Sequence, residues 1–204
     1  MFEINVLNTV FYSVGLLVIF YAFFCIVAKK LLRPDWKKLV YIVFLFSLLG
    51  VIGEDFVNTV YSIIFETPLW EYRLYPTHNE NISYFFRLVW GTLGFYTYWR
   101  SIVFIHNSYM STLKMGLLLG TEAIFIELIV NIPYHMLFGD YIFYYLPTNL
   151  GPLSHFSCLE VIPFYMLVGI ASANMLEQQE KMYYKHFRTT ILFYLMIMVT
   201  VVYL

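Results

Sequence analysis

The chain has 204 residues, of which 61% are hydrophobic and 12% charged, with a mean hydropathy of +0.71. A soluble domain carries about a quarter charged residues, so this chain lacks the polar surface to stay in water, and its apolar excess also excludes disorder. Two cysteines exclude a disulfide scaffold, and 12 basic against 13 acidic residues leave no basic face for nucleic acid. A single integral membrane domain over 1–204 remains.

A helix of roughly 20 residues spans the hydrocarbon core at 1.5 Å per residue. Six stretches qualify, near 6–28, 39–65, 84–105, 115–138, 156–176 and 189–204, and they predict an all-α, polytopic transmembrane helical bundle. The first lacks a basic leader and a small-residue cleavage site, so it reads as a retained span. Lys29, Lys30, Arg33, Lys37 and Lys38 fall in loop 1, Arg100 and Lys114 flank loop 3, and Lys181, Lys185 and Arg188 fall in loop 5. The positive-inside rule then makes the odd loops cytoplasmic and both termini external, with the plasma membrane as the expected location. Loops 2 and 4 face outward and carry the aromatic runs Trp70-Glu71-Tyr72 and Tyr141-Ile142-Phe143-Tyr144-Tyr145. Such rings suit a headgroup interface. Aromatics make up 21% of the chain, more than two interfacial belts require, and the excess is available for packing or for lining a cavity.

An internal repeat emerges at an offset of 73 residues. Glu54, Asn58 and Tyr61 of span 2 fall on Glu127, Asn131 and Tyr134 of span 4; Trp70 and Tyr72 fall on Phe143 and Tyr145; Arg87 falls on Glu160. Spans 2–3 and 4–5 therefore read as two parallel helical-hairpin repeats, with a shared site between them. Spacings of 3, 4 and 7 put each carboxylate, amide and phenol on one helical face. A carboxylate at the bilayer centre costs several kcal/mol, so these stripes are expected to face a partner or a cavity. Asp55 and Glu122 add acids at similar depth, giving Glu54, Asp55, Glu122, Glu127 and Glu160 against the single cation Arg87. Some of these acids should be neutral at pH 7, which makes proton donation available. An alternative use of Arg87 and Glu160 is a plain interhelical bridge. Pro133 inside span 4 and Pro163 in span 5 each free a backbone carbonyl and favour a kink.

Several chemistries find no support. There is no aspartate cluster to hold Mg²⁺ on a diphosphate, no Gly-x-Ser-x-Gly elbow, no His-Glu-x-x-His pair and no Walker A loop. The histidines, His78, His106, His135, His155 and His186, lack ligand spacing, so neither a metal nor a cofactor is expected. Cys25 and Cys158 read as packing residues, as do Gly50, Gly53, Gly116 and Gly120.

Phe138-Gly139-Asp140-Tyr141-x-Phe143-Tyr144, then Leu150-Gly151-Pro152-Leu153 and Val161-Ile162-Pro163-Phe164, resembles a segment of bacterial and archaeal carotenoid biosynthesis membrane proteins, a carotenoid hydratase among them. Glu127 sits where those proteins carry a glutamate in the preceding helix. An acid in a helix, an aromatic-x-Tyr loop and an acid in the next helix also resemble membrane lycopene cyclase domains and small membrane terpene cyclases. Glu54-Asp55 followed by Trp70-Glu71-Tyr72 is similar to their acid and Trp-x-Tyr pattern. The cyclase domains favour paired acids after the loop, whereas this chain has Glu160 in one copy and Arg87 in the other.

The resemblance implies an enzyme that protonates an alkene or epoxide of an isoprenoid, giving cyclisation or hydration. Glu127 or Glu54 would be the acid, with Asp55 and Glu160 as partners. Asn58, Asn131 and Arg87 would contact the substrate, and Trp70, Tyr72, Phe143 and Tyr145 would roof the pocket, their rings stabilising the cation. Kinked helices with midplane acids also suit a small proton-coupled transporter. Six spans make a narrow path, so a homo-oligomer stays open. A non-catalytic membrane subunit is the third reading.

Overall fold

The structure is a computed structural model that describes residues 2–73, 77–78, 82–83, 86–105, 111–146 and 155–171, with Asn174 and Leu192. Its elements are α1 (Phe2–Ala28), α2 (Trp36–Phe65), β1 (Trp70–Tyr72), β2 (Thr77–His78), β3 (Ile82–Ser83), α3 (Phe86–Arg100), α4 (Thr112–Phe138), β4 (Phe143–Tyr145) and α5 (Leu159–Ala171). Among the described residues three helices are long and apolar enough to cross a membrane: Leu7–Ala28, Trp36–Phe65 and Leu113–Phe138. α3 runs on through a π-helical turn, Ser101–Ile105, and α5 is a shorter apolar helix whose first turn, Leu159–Val161, is 3-10. The sixth expected span lies outside the described residues apart from Leu192.

α1 shows why the helices suit lipid. Thr9, Ser13, Leu16, Phe20 and Phe24 recur every three or four residues and are buried, while Phe11, Val18, Ile19 and Ile26 stand exposed on the other side. A helix apolar all round with only one buried stripe presents its remaining faces to hydrocarbon. Phe56 and Ile63 on α2 and Phe125, Ile129 and Met136 on α4 do the same.

Caps set the helix limits. The Asp35 carboxylate accepts from the backbone N–H groups of Lys37 and Lys38 at 3.1 and 3.2 Å, which starts α2. α2 ends at Glu66 and α4 at Gly139, both left-handed, with φ of 60° and 72°. Each cap N–H bonds back to a carbonyl four residues earlier, on Ser62 and on His135.

Glycines bring the helices together. A Cβ on Gly94 would lie 2.9–3.0 Å from Phe46, Ile42 and Val43, so α3 lies directly on α2. A Cβ on Gly116 would lie 2.4 Å from Ile170 and one on Gly120 2.6 Å from Met166, so α5 lies as closely on α4. α1 packs on α3 and α4; Tyr12 Oη donates to the Val130 carbonyl at 2.7 Å, three residues before Pro133 disturbs the helical bonding.

One feature departs from the all-α expectation. β1 pairs antiparallel with β4, Trp70 opposite Tyr145, Glu71 opposite Tyr144 and Tyr72 opposite Phe143. This ribbon ties the segment after α2 to the segment after α4, and its central pair, Glu71 and Tyr144, is itself separated by 73 residues. Trp70, Tyr72, Phe143 and Tyr145 are buried beneath the ribbon, while Glu71 and Tyr144 are half-buried on its other side. β2 and β3 form a separate two-residue pairing.

Candidate functional site

Two residues hold the ribbon in place. The Asn58 amide accepts from Leu69 N–H at 2.8 Å and donates to the Trp70 carbonyl at 3.4 Å. The Asn131 amide accepts from Ile142 N–H at 3.1 Å and donates to the Phe143 carbonyl at 2.9 Å. A three-residue strand leaves backbone groups that need partners when buried, and these amides supply them. Asn58 and Asn131, expected from the sequence to contact substrate, are bonded here to the ribbon backbone and position it.

Beneath the ribbon lie the two glutamates, each 7% exposed. Tyr72 Oη donates to Glu54, with the Trp90 indole as its second neighbour. Tyr145 Oη donates to Glu127 Oε1, which also accepts from Tyr165 Oη at 2.7 Å, and Ser157 Oγ donates to Oε2 at 2.6 Å. The amide contacts, the phenol contacts and the helix caps thus all recur at the 73-residue offset. Tyr165 and Ser157 do not recur: Thr92, the residue 73 before Tyr165, turns its hydroxyl to the Leu88 carbonyl at 2.8 Å. Glu54, Glu127, Tyr72 and Tyr165 interact electrostatically as one cluster. Burial, then the adjacent carboxylate, raises the ribbon phenols Tyr72 and Tyr145 well above the usual tyrosine range.

Glu127 reaches a half-open crevice of about 40 Å³ between α3 and α4, lined by Trp90, Leu93, Ile126, Phe143 and Tyr165 among others. A smaller space of about 20 Å³ continues past Trp90 and Tyr165 toward Phe46 and Gly169. The larger one has room for roughly three waters.

Other expected site residues lie elsewhere. Asp55 is exposed on the outside of α2, because consecutive helical residues point about 100° apart and Glu54 takes the inward direction. Glu160 begins α5 against the Cys158 thiol, and its Oε2 is buried with no hydrogen-bond partner among the described residues. Arg87 is half-buried in the first turn of α3, where its carbonyl accepts from Ser47 Oγ at 3.1 Å, and the expected Arg87–Glu160 bridge is not formed. Trp70 stays in the roof, edge-on to Tyr145 at 5.9 Å, without lining the crevice. Glu122, counted from the sequence among the unmatched acids, is bound by Arg100: Nη2 approaches Oε1 at 2.7 Å and Nε approaches Oε2 at 3.0 Å. Arg100, placed beside loop 3 by the sequence, is the cation that the acid count lacked.

The sequence reading passed over Trp90, Ser157 and Tyr165. The available signal for Tyr165 was its spacing from Val161, four residues earlier, which places a hydroxyl on the buried face of an apolar helix. Among the described residues no group of three or more His, Cys, Asp or Glu is placed to hold a metal ion.

Comparison with protein-family models, with curated proteins and with solved structures finds no match to this chain.

Proposed function

We propose that the chain is an integral membrane enzyme that protonates an alkene or epoxide of an isoprenoid lipid, as its resemblance to carotenoid hydratases and membrane terpene cyclases suggests. The supporting observation is Glu127 at the wall of an apolar crevice edged by the rings of Trp90, Phe143 and Tyr165. In this reading a glutamate transfers its proton to one carbon of a double bond. The rings stabilise the resulting cation, by up to about 2 kcal/mol for a desolvated contact. Loss of a proton from a neighbouring carbon to a carboxylate gives an isomer; attack on the cation by a second double bond of the same substrate, then loss of a proton, gives a ring; and attack by water followed by proton loss gives an alcohol. Glu54 and Glu127 are the two candidates for these roles, and the crevice admits the reacting carbons while the rest of the chain lies toward lipid.

The finer architecture belongs to the same proposal: six spans, outward termini in the plasma membrane, and α2–α3 and α4–α5 as diverged copies of one hairpin. The recurrence of amide, phenol and cap contacts at one offset supports the last point. The test is to purify the chain in detergent and identify the co-extracting lipids by mass spectrometry, for wild type and Glu127→Gln. An isoprenoid accumulating on the variant, with its isomer or hydrate on wild type, is the expected result; phospholipid alone in both would count against the enzyme. The duplicated acids favour a second reading, a proton-coupled carrier, whose mark is substrate-dependent proton flux in liposomes that the glutamate variants lack.

A further inference from the structure

The crevice between α3 and α4 has a consistent electrical character. It is lined by the aromatic residues Trp90, Phe143 and Tyr165, by aliphatic side chains and Thr92, and by Glu127 as its one acidic residue. Aromatic faces carry negative partial charge. The hydroxyls of Tyr145, Ser157 and Tyr165 all donate toward Glu127, so their hydrogens are turned to the carboxylate and away from the space. Among the described residues no Lys, Arg or His pairs with Glu54 or Glu127; the ion pair they contain is Arg100 with Glu122. The site is therefore built for positive charge, and its apolar walls suit an organic cation better than a hard metal ion, which needs several oxygen ligands.

We infer that this crevice binds lipophilic amines in their protonated form, the ammonium group against Glu127 between the aromatic rings and the hydrocarbon tail leaving between α3 and α4. A space of about 40 Å³ accepts a dimethylammonium head. Organic ammonium groups are attracted to the faces of aromatic rings, and a neighbouring carboxylate adds opposite charge. This inference goes beyond the proposed enzyme and needs no turnover.

The full chain in detergent is titrated with N,N-dimethyldodecylamine and, as a neutral partner of equal tail length, dodecyl methyl ether, with tryptophan fluorescence and thermal unfolding as readouts. The amine is expected to bind on the order of tenfold more tightly than the ether below the amine's own pKa. Glu127→Gln should erase that preference. Leu93→Trp, which fills the crevice and leaves both glutamates in place, should abolish amine binding while a single size-exclusion peak shows the fold intact. Equal binding of amine and ether to wild type, or an amine preference that survives Leu93→Trp, overturns the inference. A preference for the amine supports it even when no isoprenoid is converted, and equal binding overturns it even when one is, so this site and the enzyme stand or fall separately.

Discussion

Glu127 accepts three hydroxyl hydrogens, whereas Glu54 accepts one, from Tyr72. A carboxamide at position 127 would turn hydrogens toward groups that already donate. Glu127→Gln should therefore lower stability more than Glu54→Gln, by about 1–3 kcal/mol for each buried donor left unmatched, as read from thermal unfolding in detergent. The ribbon phenols give a pH prediction. Their pKa values are raised by burial, so the stability they contribute is present below the unfolded tyrosine pKa of about 10 and falls as pH rises beyond it. Melting midpoints should drop on the alkaline side, and less steeply in Tyr72→Phe with Tyr145→Phe. Glu54, Glu127, Tyr72 and Tyr145 were legible as a set because an acid inside an apolar span is costly wherever it stands and demands a reason. Tyr165 and Ser157 were not, because a lone hydroxyl in an apolar run costs little and carries no mark of its partner, which for both lies 30 or more residues away on Glu127. For the two asparagines, sequence shows a polar group on a face, while the backbone it bonds depends on where a strand 11 or 12 residues later comes to lie.

At the scale of elements, the tightest constraints are backbone contacts. The carbonyl of Gly116 would lie 2.1 Å from a Cβ on Gly169, and a Cβ on Gly120 would lie 2.6 Å from the Met166 backbone. Gly120→Leu should force α5 off α4 and cost several kcal/mol through overpacking, on the order of 1–3 kcal/mol or more. Gly15 has nothing within 4 Å of its Cβ position, so Gly15→Ala should be neutral or stabilising by about 0.5–1 kcal/mol. Comparing the two melting midpoints checks both. Long helices were readable because apolar length alone identifies them. The ribbon was not, because an alternation only three residues long does not stand out in an aromatic loop and its partner strand lies 73 residues away. Loops 2 and 4 were seen as aromatic segments of equal kind, but that they bond to one another is a tertiary fact.

At the scale of the molecule, an ion pair between Arg100 and Glu122 joins α3 to α4. Arg100 and Glu122 are 12% and 23% exposed, so solvent screens the pair only partly. Removing one partner strands the other charge: Arg100→Met should cost about 2–3 kcal/mol, and adding Glu122→Leu should recover part of that loss in a double-mutant cycle followed by thermal unfolding. The linear sequence hid this pair, since its members are 22 residues apart on different spans, and Arg100 counts there as a basic residue flanking loop 3.

The ribbon across the top of the bundle acts as a crossbar. It holds the level of Glu54 against that of Glu127, because each glutamate is bonded to a strand of the same bar. A carrier that rocks one half against the other would have to shear three residue pairs in every cycle, whereas chemistry in a side crevice leaves them untouched. Locking the bar through its central pair, with Glu71→Cys and Tyr144→Cys joined as a disulfide, should therefore stop a rocking carrier and leave a membrane enzyme running.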